Sequence, residues 1–502
     1  MTDMLTRFLS VFSKRPKRSS LPPLYFRNTL SGDLEEFIPL SRKVVKMYNC
    51  GPTVYGPQHI GNMRAAVFAN TIRRALDRFG YDVKQVINIT DFGHLVADAD
   101  DGEDKMTAGL KREGMELTLE NMHTLAEKYA QLYLDDIRLL GVDTEKITFP
   151  RASAYIPEQI ALIRALVEKG YAYKTKNGVY FEVARFPSYG KLGGVKLSGL
   201  KEGARIKGHS EKRGPFDFTL WKRDAHLGWD SPWGKGFPGW HIECTAMIFK
   251  LLGKQIDIHT GGIEHIPVHH NNEIAQAEAA SGKRFVKYWM HNDHIMVEGK
   301  KISKSIGNTV YLYNVTDRGF SPLALRYWFL TAHYRSSANF TWDALSGAAA
   351  ALAKLKRFFL EELPRDGAPA SPDTAFMKDI LDAIAHDLDT PKVIARTWEL
   401  VKDMNVSPAA KRASLLEVDA LLGLGLAAAD SRAAVPSMIA VVEEKDEAVP
   451  EEVAALLEAR TAAREARDFA KADDLRAKIA ERGYEIKDTG NGAQLSKLSG
   501  QQ

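Results

Sequence analysis

The chain has 502 residues, 45% hydrophobic and 26% charged, so it reads as soluble and globular, long enough for three or four domains with ample core. Its 68 Lys and Arg against 64 Asp and Glu leave a formal charge of +4, which neither demands nor excludes nucleic acid, so any field that binds it must be local. No apolar run approaches the ~20 residues of a membrane span, and the two cysteines, Cys50 and Cys244, lack a disulfide-like spacing, which points to a reducing compartment, the cytoplasm.

Residues 1–22 carry Arg7, Lys14, Arg15, Lys17 and Arg18 beside Leu5, Phe8, Leu9, Val11 and Phe12. A transit peptide or basic arm would look like this, but acidic Asp3 and the short apolar part favour a disordered or weakly helical extension. Val44, Val45 and Met47 then begin a strand, Cys50, Gly51, Pro52 and Gly56 break it, and Phe68, Ile72, Leu76 and Phe79 recur at helical spacing. Gly80 suits the helix C-cap, and residues 82–90 form a second strand, which makes a βαβ unit. The turn inside that unit ends in His59-Ile60-Gly61-Asn62, where a helix N-terminus attracts phosphate, Gly61 admits a close approach, and His59 and Asn62 offer donors.

The segment 91–105, rich in Asp98, Asp100, Asp101, Glu103 and Asp104, reads as a solvated acidic loop, because the Gly and terminal Glu of an EF-hand are missing. Residues 117–140 and 155–169 have helical spacing, 171–220 turns to short strands, and 221–240 is a Trp-, Gly- and Pro-rich return path. A Lys/Ser-rich loop follows at Lys300-Lys301-Ile302-Ser303-Lys304-Ser305-Ile306-Gly307-Asn308. Helices are expected over 323–332, 345–360 and 393–404, a linker over 427–447, and a last module of helices 451–467 and 469–482 with a short terminal strand.

Cys50, Cys244, His269 and Glu273 are the best metal constellation. His269 and Glu273 are four apart and share a helix face, and two thiolates, an imidazole and a carboxylate suit Zn²⁺, provided Cys50 and Cys244 end neighbouring strands. His259, His265 and His270 could compete as ligands. Four protein ligands ordinarily close a structural site, whereas a catalytic zinc keeps a position open, so spacing alone leaves both readings standing.

The early His-Ile-Gly-Asn turn and the late Lys-Ile-Ser-Lys-Ser loop resemble the HIGH and KMSKS signatures of class I aminoacyl-tRNA synthetases. Cys50-Gly51-Pro52-Thr53-Val54-Tyr55, Gly239-Trp240-His241-Ile242-Glu243-Cys244 and His269-His270-Asn271-Asn272-Glu273 narrow the resemblance to the cysteinyl-tRNA synthetase family, over residues 23–495. It implies an α/β fold: a Rossmann-like nucleotide-binding catalytic domain (23–146 and 237–298) with an inserted connective domain (147–236) and a signature-loop and stem-contact region (299–345). An α-helical bundle (346–430) and a small C-terminal anticodon-binding module (446–502) complete it.

The resemblance further implies one zinc on Cys50, Cys244, His269 and Glu273 that takes the substrate thiolate as a further ligand. L-cysteine would be held by Thr90 and Trp240, and ATP, with Mg²⁺, by His59, Gly61, Asn62, His259, Gly261, Gly262, Glu264, Lys301 and Lys304. Catalysis would fall to His59, Asn62 and Lys304, and recognition of the tRNA(Cys) anticodon to Arg464, Phe469, Asp473 and Asp488. The expected product is cysteinyl-tRNA, made by a monomer. Asn62 stands for the signature's second His, Thr260 and Glu264 are departures within His259-Thr260-Gly261-Gly262-Ile263-Glu264, which resembles the family's adenosine-binding loop, Asn271 replaces a common Glu, and Leu495 replaces a common terminal Trp. The rival readings are a cysteine ligase of the mycothiol pathway, which lacks the anticodon module, and a catalytically silent tRNA-binding relative, against which His59 and Lys304 argue.

Overall fold

The structure is a computed structural model that describes residues 21–93, 105–195, 211–303, 306–365, 370–428, 451–465, 468–482, 484–489 and 492–497. The basic extension up to residue 20, the acidic residues 94–104 and Lys304 lie outside the described residues. The chain divides into two units, residues 1–430 and 431–502.

The first unit is organised on a five-stranded parallel sheet in the order Val286–Asn292, Ile256–Gly262, Val44–Asn49, Asp82–Ile87 and Ile147–Thr148. Chain order runs outward in both directions from the junction of the Val44–Asn49 and Ile256–Gly262 strands. A crevice therefore opens beyond their carboxyl ends, the place where α/β sheets bind ligands. Both faces of the sheet are covered, as parallel strands require. Alternation sorts the side chains: Met47, Ile258, Tyr288 and Met290 enter one core, and Tyr48 and Trp289 the other.

The Ile60–Arg78 helix lays Ile60, Met63, Val67, Ile72 and Leu76 into the first of these cores. It stops as expected at Gly80, whose φ of +79° is left-handed and whose N–H bonds back to the Asp77 carbonyl. The expected strands between 171 and 220 form with the return path a four-stranded antiparallel sheet, Ala172–Lys174, Gly178–Phe181, Phe218–Arg223 and Gly236–Pro238. Ile295–Val297 pairs antiparallel with Lys300–Lys301, at the start of the Lys/Ser-rich loop, and parallel with Ala338–Phe340.

Helices Trp342–Arg357, Thr374–Ala385, Thr390–Lys402 and Pro408–Leu422 form the bundle. Arg326 joins it to the nucleotide fold. Wholly buried, it donates to the carbonyls of Leu422 (2.6 Å) and Leu140 (2.9 Å) and to Asn70 Oδ1 (2.8 Å).

Two local readings change. Cys244 does not end a strand; it sits within the Trp240–Leu251 helix, which starts where the Pro- and Gly-rich return path runs out. Lys105 opens a helix, Lys105–Arg112, instead of closing an acidic loop.

The second unit contains helices Glu451–Glu465 and Phe469–Glu481, the latter capped by Asp468, whose Oδ1 accepts from the Lys471 N–H. The expected single terminal strand is a hairpin, Tyr484–Thr489 with Gly492–Lys497, because an edge so short needs a partner for its backbone groups. Arg464, Phe469, Asp473 and Asp488 fall on the two helices and the first hairpin strand.

Candidate active site

The site begins where the Val44–Asn49 strand ends. At Gly51 a Cβ would stand 1.7 Å from the Asn88 carbonyl oxygen, so only glycine lets the chain leave the sheet between Cys50 and the neighbouring strand end. His59 then caps the Ile60–Arg78 helix, its Nδ1 accepting the Gly61 N–H at 3.1 Å. The first helical turn has no acidic side chain, so its N–H groups and dipole favour an anion in front of it. Arg64, one turn on, donates to the carbonyls of Asp293, His294, His333 and Ser336, which pins the loop after the Val286–Asn292 strand against this helix.

One cavity of about 480 Å³ gathers Cys50, Tyr55, His59, Gly61, Asn62, Lys105, Trp240, Gly261, Gly262, Glu264, His265, His269 and Lys301. Its floor at Gly261 is bare backbone, because a Cβ there would lie 2.6 Å from His265 Nδ1 and 2.7 Å from His270 Cε1. Glu264 reaches back over Gly262 to within 3.6 Å of His294 Nδ1. His265 Nδ1 is buried with no hydrogen-bond partner among the described residues, an unspent polar atom on the wall of the cavity.

At the buried end, ligand atoms of Cys50, His269, His270 and Glu273 all lie within 4.8 Å of one another. Cys50 Sγ is 3.3 Å from His270 Nε2 and 3.8 Å from Glu273 Oε1, and His269 Nε2 is 2.8 Å from Glu273 Oε1. Cys244 flanks this group, its Sγ 3.7 Å from His269 Nε2. All four sequence-predicted ligands are thus brought together, with His270 added. The His269–Glu273 spacing works as expected across one helical turn.

Around them stands a shell of histidines. His241 Nδ1 lies 2.9 Å from His269 Nδ1, and His270 Nδ1 is 2.8 Å from His291 Nε2, whose own Nδ1 meets Thr29 Oγ1 at 2.7 Å. Such partners fix ring orientation around a metal.

The electrostatics match a cation site. Burial opposes ionisation of Glu273, yet His259 and His269 outweigh it and hold the carboxyl well below its usual range. Burial also works against charging His269, but Glu273 and Cys244 lift it to about 10. Burial, reinforced by Cys244, pushes the Cys50 thiol up, while hydrogen bonding with Cys50 brings Cys244 down. Burial and the neighbouring histidines keep His270 and His265 neutral, with lone pairs available. Thiols, imidazoles and an anionic carboxylate in a desolvated pocket form a donor set that could bind a metal, and they fit a borderline-soft ion.

Two expected contacts fall elsewhere. His259 is fully buried and does not face the ATP side; its Nε2 meets Glu273 Oε2 at 2.8 Å. Alternation along Ile256–Gly262 explains this, since His259 stacks on Trp289 on one face while Thr260 takes the other and accepts from Asn49 Nδ2 at 2.6 Å. Thr90, 1% exposed, donates to Glu243 Oε2 at 2.8 Å from behind the cavity wall, while Thr53, with which it forms a bridge, lines the cavity.

Trp240 does line the cavity, its ring 4.3 Å from that of His269. Sequence reasoning missed His241, Glu243 and Lys105. The first two lay inside the Trp-His-Ile-Glu-Cys stretch already singled out; Lys105 carried no signal beyond being the basic end of an acidic run.

A family model described as tRNA synthetases class I (C) catalytic domain matches residues 36–350, and one described as cysteinyl-tRNA ligase anticodon binding domain matches residues 446–495. A cysteine–tRNA ligase 1 from Burkholderia lata is 42% identical over 94% of this chain and 97% of its own length. A cysteine–tRNA ligase from Thermus thermophilus is 40% identical over 93% and 98%. Among solved structures, Mycobacterium tuberculosis methionyl-tRNA synthetase in complex with methionyl-adenylate overlays with a TM-score of 0.54 at 14% identity, covering 77% of this chain and 93% of that one, a likeness of fold.

Proposed function

Since the chain belongs to the class I tRNA synthetases and, among them, to the cysteine–tRNA ligases, we propose that the cavity activates L-cysteine with ATP and passes it to tRNA(Cys). The observation that carries this is the convergence, in one cavity, of Cys50, His269 and Trp240 with the anion-attracting helix start at His59. In the first step a cysteine carboxylate oxygen attacks the α-phosphorus of ATP; a P–O bond forms and pyrophosphate leaves with the bond it gives up. In the second, a terminal ribose hydroxyl of the tRNA attacks the acyl carbon, and AMP leaves.

Such chemistry needs positioning and charge stabilisation more than a nucleophilic side chain. His59, Asn62, Lys301 and Lys304 serve the phosphates, the last two from the Lys/Ser-rich loop, with Mg²⁺ as the companion of ATP. Gly61, Gly261 and Gly262 let the nucleotide approach backbone, and Glu264 bounds its ribose side. Zn²⁺ is held by Cys50, Cys244, His269 and Glu273, with His270 beside them, and when bound it supplies a soft Lewis acid for the substrate thiolate. Trp240 closes over the amino acid, and Thr90 braces the wall through Glu243.

The nucleotide fold takes residues 23–146 and 237–298, the insertion 147–236, the signature-loop region 299–345 and the bundle 346–430. In the module 446–502, Arg464, Phe469, Asp473 and Asp488 read the anticodon, Arg and carboxylates pairing with base edges and Phe stacking. The enzyme works as a cytoplasmic monomer.

A cysteine-dependent ATP/pyrophosphate exchange assay, repeated with tRNA and with an amino sugar as acceptors, tests the whole reading. Exchange with transfer to tRNA alone is the expected result; transfer to the sugar would overturn it. Deleting residues 446–502 should leave exchange intact and sharply weaken tRNA charging, and normal charging by the truncated protein would remove the anticodon role.

A further inference from the structure

We infer that Lys105 is the residue that binds the α-carboxylate of the amino acid, an assignment that rests on the reading above in which the thiolate is held at Cys50, Cys244, His269 and Glu273. Lys105 opens the Lys105–Arg112 helix and lines the same cavity as Cys50, His59 and Trp240. Its Nζ lies over the Trp240 indole, 5.6 Å from the ring centroid, and the same indole lies 4.3 Å from the His269 ring. Trp240 therefore links the sulfur end of the cavity to a cation.

That cation is half-buried, and no carboxylate among the described residues pairs with it. A surface lysine ordinarily extends its ammonium into bulk water. One withdrawn into a cavity beside an aromatic face is suited to an anion that arrives from outside. The amino acid provides one of the right reach. In cysteine the carboxyl carbon lies roughly 3–4.5 Å from the sulfur by ordinary bond lengths, so a thiolate anchored at the ligand cluster brings its carboxylate alongside Trp240, within the sweep of the four-carbon stem.

The ammonium has three donors and no acceptor. It can hold one carboxylate oxygen and leave the other directed at the α-phosphorus. Lys105 is then the discriminator between cysteine and thiols that lack a carboxylate.

The test is a pair of ligands against a pair of variants. Cysteine and cysteamine, which keeps the thiol and amine but has no carboxylate, are titrated calorimetrically into the zinc-loaded full-length protein, into Lys105→Met and into Lys105→Arg. The expected result for Lys105→Met is a loss of about 10-fold or more for cysteine, the scale of a hydrogen bond to a charged group, with cysteamine unchanged. Lys105→Arg should recover most of the cysteine affinity, and unchanged cysteamine binding shows that the pocket is still folded. Equal losses for both ligands would mean that Lys105 acts only by packing on Trp240, and no loss for either would mean that it does not meet the substrate; each overturns the assignment. If both ligands bind the wild type as tightly after zinc is chelated, the thiolate reading fails instead, and the contrast between the two ligands in Lys105→Met still decides the carboxylate.

Discussion

The two ends of the cavity are built on opposite plans. At the sulfur end Glu273, His259 and His270 are 0% exposed, Cys244 1% and His269 2%, and each ring or carboxylate is held by at least one neighbour from a different element. At the phosphate end the surfaces are glycine backbone and a helix start, with Lys301 exposed and the Glu264 side chain 55% exposed. Serine and cysteine differ by one atom, and an apolar cavity separates near-isosteres by only ~1–3 kcal/mol, so selectivity needs donors that sense sulfur and cannot adjust to oxygen. Pyrophosphate must leave, and a rigid, dry cage would hold it. The sulfur end is therefore preorganised, and the phosphate end stays open.

The largest effect should come from breaking the sulfur end. Cys244→Ser is expected to lower cysteine-dependent exchange by more than the ~10–100-fold typical of losing a group behind a metal ligand, bringing it toward the level with serine. Exchange at several zinc concentrations, with circular dichroism to show that the fold persists, checks this; undiminished preference for cysteine without metal would make the cluster structural.

In the Lys/Ser-rich loop proposed to serve the phosphates, Lys304→Ala should slow adenylate formation by on the order of 10²-fold while cysteine binding stays nearly intact, the pattern of a charge needed in the transition state. Single-turnover adenylation beside cysteine titration separates the two, and an equal loss in both would erase the distinction between the ends.

A smaller effect sharpens the contrast through pH. In metal-free protein His269 holds its proton to about 10 against an ordinary 6.5, so the stability it contributes is fully present below pH 6.5 and is lost as pH rises toward 10. Glu273 is shifted the other way: its contribution is present above its ordinary 4.5 and is lost only in strong acid. The melting temperature of chelated protein should therefore fall between pH 6.5 and 10, and under the proposed ligation, with zinc in place of the proton on His269, that fall should flatten. Parallel curves with and without zinc would mean that the metal does not bind at His269.

Much of this site was legible in the residues themselves. The His59 turn could be read because a cap, a glycine and a helical period are local, and the His269–Glu273 pair because one helical turn is local too. What could not be read was which face a strand shows. His259 looked like a nucleotide ligand beside two glycines, but its direction depends on the pairing with Tyr48 and Trp289, more than 25 residues away. Cys244 was identified by residue type, yet its helix forms only where the return path docks on the sheet. Lys105 and Glu243 were missed for the same reason, since their significance comes from Trp240 and Thr90, to which no short-range pattern links them.

Arg326 has a consequence for how the first unit comes apart. Its guanidinium sits against the carboxyl-terminal ends of the Leu119–Leu139 and Pro408–Leu422 helices and against Asn70 of the Ile60–Arg78 helix, where a positive charge answers both helix dipoles at once. Unravelling either the nucleotide fold or the bundle takes partners from that buried charge, so the two are expected to melt in a single calorimetric transition. Arg326→Met is expected to split that transition in two, which scanning calorimetry of the variant checks.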